Sequence, residues 1–507
     1  MGSDQLIFAG MSDYTDEDRM GQINKKNDIL KKINDLAISQ FDEIEYESAS
    51  IKLDNPVDEV TAKDISRKKT SLCSSKMGRK EKISIEDIFS NGTEDENTGM
   101  DPENNSCLLK NPQEKKSSSD ISFPVKETEI SGTPEKTKQE KIINSDYLNK
   151  SDTQKIALIY NTDHEAHSSV CLGMESPERP QRLTDAYWYL KKNRIFEDDK
   201  FELFTRFEMA RERDILRVHT SSYVDFIRSY ASKGGGFLGD STYITPQSYE
   251  IALMAAGGAI KAAELVIDEN YLCSFALIRP PGHHAGSDKY SGFCMFNNAA
   301  VLARYLQQVK GLKKILILDW DAHAGNGTMD IFYSDPTVMT VSIHRDPADY
   351  YPRTGFIDQT GEGAGKGFTA NIEMPQGSGD EEYIMAFKEV IIPLINRFSP
   401  DFVICCCGFD GYYQEKNNKL KLTAEGYYQI GKILRDSLSV DFTLLLEGGY
   451  HRFNGQLCHS ILSSLLGRKN PINESDIFSQ YELGIQKKIY QKAQKNIADV
   501  KELFSIK

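Results

Sequence analysis

Long apolar runs are missing from this 507-residue chain. No window reaches the roughly 18 residues that a membrane-crossing helix requires. The N-terminus also lacks the charged, then apolar, then small order of a secretory leader. Both absences predict a soluble intracellular protein, cytoplasmic or nuclear, with no membrane partner. The nine cysteines include no Cys-x-x-Cys pair, which argues against a structural zinc finger. Three of them, Cys405, Cys406 and Cys407, adjoin inside an apolar run, and the reading is reduced, buried thiols without a disulfide framework. Excess positive charge is absent as well. A formal net charge of −14 repels duplex phosphates, so no direct nucleic-acid binding is expected.

Aromatic residues are scarce in the first 150 positions, which hold seven Phe and Tyr and no Trp and are dominated by Lys, Glu, Asp, Asn and Ser. Such a segment cannot bury enough apolar surface to offset its ordering entropy, so residues 1–150 read as a disordered extension. Short patches such as "ILKKINDLAI" would form transient helix or bind a partner. The stretch "RKKTSLCSSKMGRKEK" (67–82) reads first as a solvated charge run, with a nuclear-import signal as the alternative.

From about residue 153 the composition turns globular. "KIALIY" (155–160), "FALI" (275–278), "ILIL" (315–318), "VMTVSI" (338–343), "FVICCC" (402–407) and "FTLLL" (442–446) read as strands buried on both faces. Between them "YEIALMAAGGAIKAAELVID", "NNAAVLARYLQQVKG", "DEEYIMAFKEVIIPLINRF" and "TAEGYYQIGKILRDSL" read as helices. The alternation predicts a parallel α/β sheet with helices on both faces. In such sheets ligands bind beyond the carboxyl ends of the strands. Five of these ends carry "RPPGHHAG", "DWDAHAGNG", "HRDPADYYP", "GFDG" and "EGGYHRF". In "DWDAHAGNG", Asp319, Asp321 and His323 alternate, so in extended chain they converge on one side, and carboxylate plus imidazole suits zinc or a similar divalent ion.

These motifs resemble the histone deacetylase superfamily, which includes acetylpolyamine amidohydrolases, and its class II and prokaryotic members most closely. "SPERPQRL" (176–183), "RPPGHHAGSDKYSGFCMFNNAAV", "DWDAHAGNGT", "CGFDG" and "LEGGYHRFNG" stand in the family's order. The resemblance covers roughly residues 153–467 as a catalytic domain, followed by a helical extension over 468–507. It implies the arginase-deacetylase fold with one catalytic Zn2+. Asp321, His323 and Asp410 would be the metal ligands, leaving one position open. His284 would be general base and later acid, His283 would supply positive charge, and Asp319 and Asn326 would stand behind His283 and His284 respectively. Tyr450 would donate its hydroxyl to the oxyanion. Gly292, Phe293 and Tyr351 would line a tunnel gripping the four-carbon lysine stem. Asp240 or Ser241 would bind peptide backbone at the rim. A monovalent cation, K+, would sit on Asp319, Asp321, His323, Ser342 and Ile343.

The implied activity is removal of acetyl or longer acyl groups from lysine side chains of proteins such as histones. Two other readings stay open: an acetylpolyamine deacetylase, and a non-catalytic acyl-lysine-binding scaffold. The chain departs from relatives in "GYYQEKNNKLKLT" (411–423), where prokaryotic members have a loop resembling "DPLGG". Glu415 in that loop is a candidate charge at the tunnel mouth, countered by Lys416 and Lys419. A binuclear ureohydrolase is disfavoured, because Gly325 and Tyr412 stand where further carboxylates would be needed.

Overall fold

The computed structural model describes residues 154–415, 418–474 and 483–507. The expectations for residues 1–150, including the basic clusters, lie outside the described residues. Eight strands form one sheet in the order β2-β1-β5-β10-β9-β6-β7-β8. They are β1 (Ile156–Ile159), β2 (Phe201–Phe204), β5 (Cys273–Ala276), β6 (Ile315–Asp319), β7 (Val338–Arg345), β8 (Thr369–Met374), β9 (Phe402–Cys407) and β10 (Phe442–Leu446). Every neighbouring pair is parallel. β3 (Gly236–Gly239) and β4 (Thr242–Ile244) form a separate antiparallel hairpin.

The six apolar runs read from the sequence all become strands. β2 and β8 escape that reading because "FELF" and "TANIEM" interrupt their apolar residues with polar ones, as edge strands do. The predicted helices form at Ser248–Glu269 (α1), Asn298–Gln308 (α2), Asp380–Ala386 continuing through a π turn into Ile392–Phe398, and Ala424–Ser437 (α3). On one face α1 lies close to the sheet through buried Ala255, Ala256, Ala259, Ala262 and Ala263. Its Gly257 instead lets the segment after β2 cross the helix closely, since a Cβ there would meet the Glu208 carbonyl at 2.3 Å. On the other face Trp320 packs with Phe387, and Phe409 packs with Tyr427 of α3.

The strand order decides where the site forms. β5, β10, β9 and β6 are consecutive in the sheet though widely spaced in the chain. Their carboxyl ends therefore bring residues 279–284, 447–450, 408–410 and 319–323 side by side. Adjacent strands stand about 4.8 Å apart, so side chains from all four loops can meet.

In the C-terminal region, helix α4 (Leu483–Leu503) packs against β8 and the Asp380–Ala386 helix. It buries Ala493, Ile497 and Val500, and Asn496 Nδ2 donates to the Glu373 carbonyl at 2.9 Å. No helix among the described residues is long and apolar enough to cross a membrane. Ile497→Ala should cost about 2–5 kcal/mol of stability, the usual range for emptying a buried isoleucine site. Chemical denaturation checks this, and a loss below about 0.5 kcal/mol would mean that the helix is not part of the folded unit.

Candidate active site

β6 is buried along both faces until Asp319, where the sheet ends and polar side chains can gather. Asp321, His323 and, from the end of β9, Asp410 bring one ligand atom each within 4.8 Å of one another. His323 Nδ1 lies 3.1 Å from Asp321 Oδ1 and 2.8 Å from Asp410 Oδ2. Backbone amides hold the carboxylates in place: Gly448 N donates to Asp321 Oδ2 at 2.7 Å and Ala322 N to Asp410 Oδ1 at 2.8 Å. Asp410 Oδ2, despite its nearness to His323, is a buried oxygen with no aligned hydrogen-bond donor. A bare acceptor facing a carboxylate and an imidazole is what a divalent cation would satisfy. The residues present fit such an ion.

Glycines make this crowding possible. A Cβ on Gly448 would meet Asp321 Oδ2 at 2.4 Å, and one on Gly408 would meet it at 2.3 Å. Gly292, with φ +49°, lies against the His284 ring, where a Cβ would be 2.3 Å from Cδ2.

The His283 and His284 rings lie 4.0 Å apart, tilted by 42° to one another. His283 Nδ1 is 2.9 Å from Asp319 Oδ2, and His284 Nδ1 donates to Asn326 Oδ1 at 2.7 Å. Burial would depress His283, but the Asp321 and Asp319 carboxylates outweigh it and raise the ring to about 10. His284 has no such carboxylate against its ring. Burial, then the neighbouring His283 and His323 charges, hold it well below the ordinary imidazole value. The opposed directions favour a charged His283 beside a neutral His284, whose Nε2 would then be open to accept.

Tyr450 follows β10 in the turn "EGGY". Burial raises its hydroxyl well above the usual range, only partly offset by Arg182, so it remains a proton donor. The Arg182 guanidinium lies 4.5 Å over the Tyr450 ring and donates through Nε to the Gly449 carbonyl at 2.7 Å and through Nη2 to the Glu447 carbonyl. Phe293 packs on Tyr450 at 5.3 Å, while Tyr351 stands edge-on to His284 at 5.1 Å and to His323 at 6.0 Å. Asp240 and Ser241 form the tip of the β3–β4 hairpin, with φ of 48° and 59°. Asp240 Oδ2 accepts from Tyr351 and Ser291 at 2.8 and 2.6 Å. Asp319 and Ser342 are register partners across β6 and β7, the Ser342 hydroxyl is 2.8 Å from His344 Nδ1, and Ile343 is buried in β7.

One expectation is corrected. Glu415 does not point its charge at the tunnel mouth; its Oε2 accepts from the Tyr450 backbone amide at 2.8 Å, and burial raises its carboxyl to about 7. Lys416 lies outside the described residues. The sequence reading also left several residues without a role. Glu178 and Arg279 form a fully buried pair, with Arg279 Nη2 at 2.6 Å and Nε at 2.9 Å, and Arg182 joins it at 3.2 Å. Glu447 Oε2 accepts from the Gly282 and His283 amides at 2.7 and 3.2 Å, supporting the tandem histidines from below. Each lies in a quoted motif, and for Arg279 and Glu447 a charged residue directly after an apolar strand is the available signal.

The protein should carry one tightly held divalent ion per chain, which elemental analysis would count; two ions per chain would contradict the three-ligand reading. The two carboxylates outweigh burial and raise His323 to about 9. The ion must displace that proton, so affinity should rise about tenfold per pH unit between pH 6 and 8, measured by chelator competition. A pH-independent affinity would mean that His323 Nδ1 does not bind the ion.

The histone deacetylase domain profile matches residues 176–465. A probable deacetylase of Archaeoglobus fulgidus is 40% identical over 281 residues, 54% of this chain and 76% of that protein. Histone deacetylase HDA1 of Saccharomyces cerevisiae is 38% identical over 296 residues, 54% of this chain but only 42% of the yeast protein. The crystal structure of the HDA15 HD domain superposes with a TM-score of 0.61 at 30% identity, covering 69% of this chain and 95% of that one. With a family match over more than half of its length, and with these strand-end motifs gathered at one site, the chain belongs to the histone deacetylase family.

Proposed function

We propose that the protein is a zinc-dependent deacetylase that hydrolyses the acyl amide of acylated lysine in proteins or peptides, histones among them. The observation that carries this reading is the pair of adjacent histidines, one backed by the Asp319 carboxylate and the other by the Asn326 amide, set beside a three-ligand metal set and a buried tyrosine. Asp321, His323 and Asp410 would hold the ion, which when bound supplies Lewis acidity to a carbonyl and acidifies water.

The chain's own groups account for the proton movements. His284 Nε2 is free to take a proton from the attacking water, because Nδ1 is committed to Asn326. The same proton can then pass to the departing lysine amine. His283, favoured in its charged form by Asp321 and Asp319, would contribute a positive field to a site where negative charge develops. Tyr450 would donate to the carbonyl oxygen as that charge forms, and Arg182 and Glu415 grip the two ends of the single Gly449–Tyr450 peptide group, one at its carbonyl and one at its N–H. Phe293 and Tyr351 would line the passage for the aliphatic stem. Asp319, Asp321, His323, Ser342 and Ile343 would take K+, partly through backbone oxygens.

The protein-substrate reading over the polyamine one is supported by Glu415, whose carboxylate is committed to the Tyr450 amide and so is less available to a cationic chain. The scaffold reading is disfavoured because metal set, histidine pair and tyrosine are all present together.

Tyr450→Phe should keep the metal and cut kcat about 10²- to 10³-fold, the usual cost of one oxyanion donor; an unchanged kcat would place the hydroxyl away from the reacting carbonyl. Substrate class is tested by kcat/KM for an acetyl-lysine peptide against acetylspermidine and acetylputrescine. The expected preference is for the peptide, and a tenfold preference for a polyamine, about 1.4 kcal/mol, would overturn it.

A further inference from the structure

The hairpin β3–β4 stands apart from the main sheet, and its tip bonds both to the segment that carries Phe293 and to Tyr351, the two proposed walls of the passage. Toward the Phe293 side, the Asp240 carbonyl accepts from Gly292 N at 3.1 Å and Thr242 Oγ1 accepts from Phe293 N at 3.1 Å. Toward the other side, Asp240 Oδ2 accepts from Tyr351 Oη at 2.8 Å. Ser291, itself buried, completes a triangle, with its Oγ 2.6 Å from Asp240 Oδ2 and 2.5 Å from Tyr351 Oη. Two hydroxyl protons are thus shared among three close oxygens, and only one carboxylate oxygen of Asp240 is used. Tip and walls come from three chain segments: Asp240 is 51 residues from Ser291 and 111 from Tyr351.

Two further features mark the tip. Asp240 and Ser241 both adopt left-handed backbone, a turn that glycine or asparagine ordinarily fills, and yet the carboxylate is present. Asp240 is exposed, whereas the ring it holds reaches inward to stand edge-on to His284 and His323. A phenylalanine at 351 would keep those ring contacts and lose the tether.

We infer that the Asp240–Ser291–Tyr351 triangle is a clasp that fixes the spacing of the tunnel walls, and that the Tyr351 hydroxyl is thereby a specificity-determining group for the acyl-lysine stem. The inference rests on the acyl-lysine reading above. The competing role is that Asp240 meets the substrate by itself and the tyrosine hydroxyl is incidental.

A double-mutant cycle on the full-length, metal-loaded protein separates the two. With an acetyl-lysine peptide, Asp240→Ala and Tyr351→Phe should each lower kcat/KM about fivefold or more, chiefly through KM, and the double variant should be within about twofold of the worse single. Multiplying effects, or a Tyr351→Phe protein indistinguishable from the unmutated one, would overturn the clasp. Amide hydrogen exchange without substrate gives a second reading. Peptides spanning 236–244 and 290–294 should lose protection in Tyr351→Phe, and unchanged exchange in both segments would overturn the proposal. If the unmutated protein fails to act on acetyl-lysine peptides, the substrate reading fails while the exchange measurement still decides the clasp.

Discussion

Three carboxylates, Asp319, Asp321 and Asp410, are buried together at the ends of two adjacent strands, and most of the site can be understood as the response to that concentration of charge. Burial and the charge of Asp321 push the Asp410 carboxyl up, and burial pushes Asp319 up. Asp321 goes the other way, because His283 and His323 outweigh its desolvation. Left without cations, such a group would neutralise itself by taking protons. Here it is met by one charged histidine behind, one ligand imidazole between, and a bare Asp410 oxygen suited to a metal ion. The contrast between His283 and His284 follows from where the carboxylates sit: one ring has Asp319 against it and the other has Asn326.

A second buried charge group supports the tyrosine side. Glu178 is held ionised by Arg279, and Arg182 bridges from it to the carbonyls of Glu447 and Gly449. The same arginine covers the Tyr450 ring, while Glu415 takes the Tyr450 amide. The turn after β10 is therefore fixed by groups from the first and the last thirds of the domain. Its glycines cannot be replaced without striking Asp321, Asp410 or Phe409. Packing of this kind fixes the backbone that carries Tyr450 before any substrate arrives, and the proposed oxyanion-donor role would draw its advantage over water from that preorganisation.

The sheet was largely legible because its central strands are covered on both faces and so read as unbroken apolar runs. β2 and β8 were not, since edge strands mix polar residues into the pattern. The site's donor atoms were legible because Asp319, Asp321 and His323 are neighbours in sequence and "GHH", "GFD" and "GGY" are short and distinctive. What could not be read were contacts between distant segments: Arg182 with Gly449 is 267 residues apart, and Tyr351 with Asp240 is 111. The orientation of Glu415 was misjudged for the same reason. Counting Lys416 and Lys419 beside it gives a local charge, but the partner that decides its direction, Tyr450 N, is 35 residues further on.

The central claim is that buried carboxylates give adjacent histidines opposite protonation states. Nitrogen-15 spectroscopy of the imidazoles in the metal-loaded protein at neutral pH tests it directly. The account predicts that His283 is doubly protonated and that His284 is neutral, with its proton on Nδ1 toward Asn326. Two neutral rings, or a charged His284 beside a neutral His283, would contradict it.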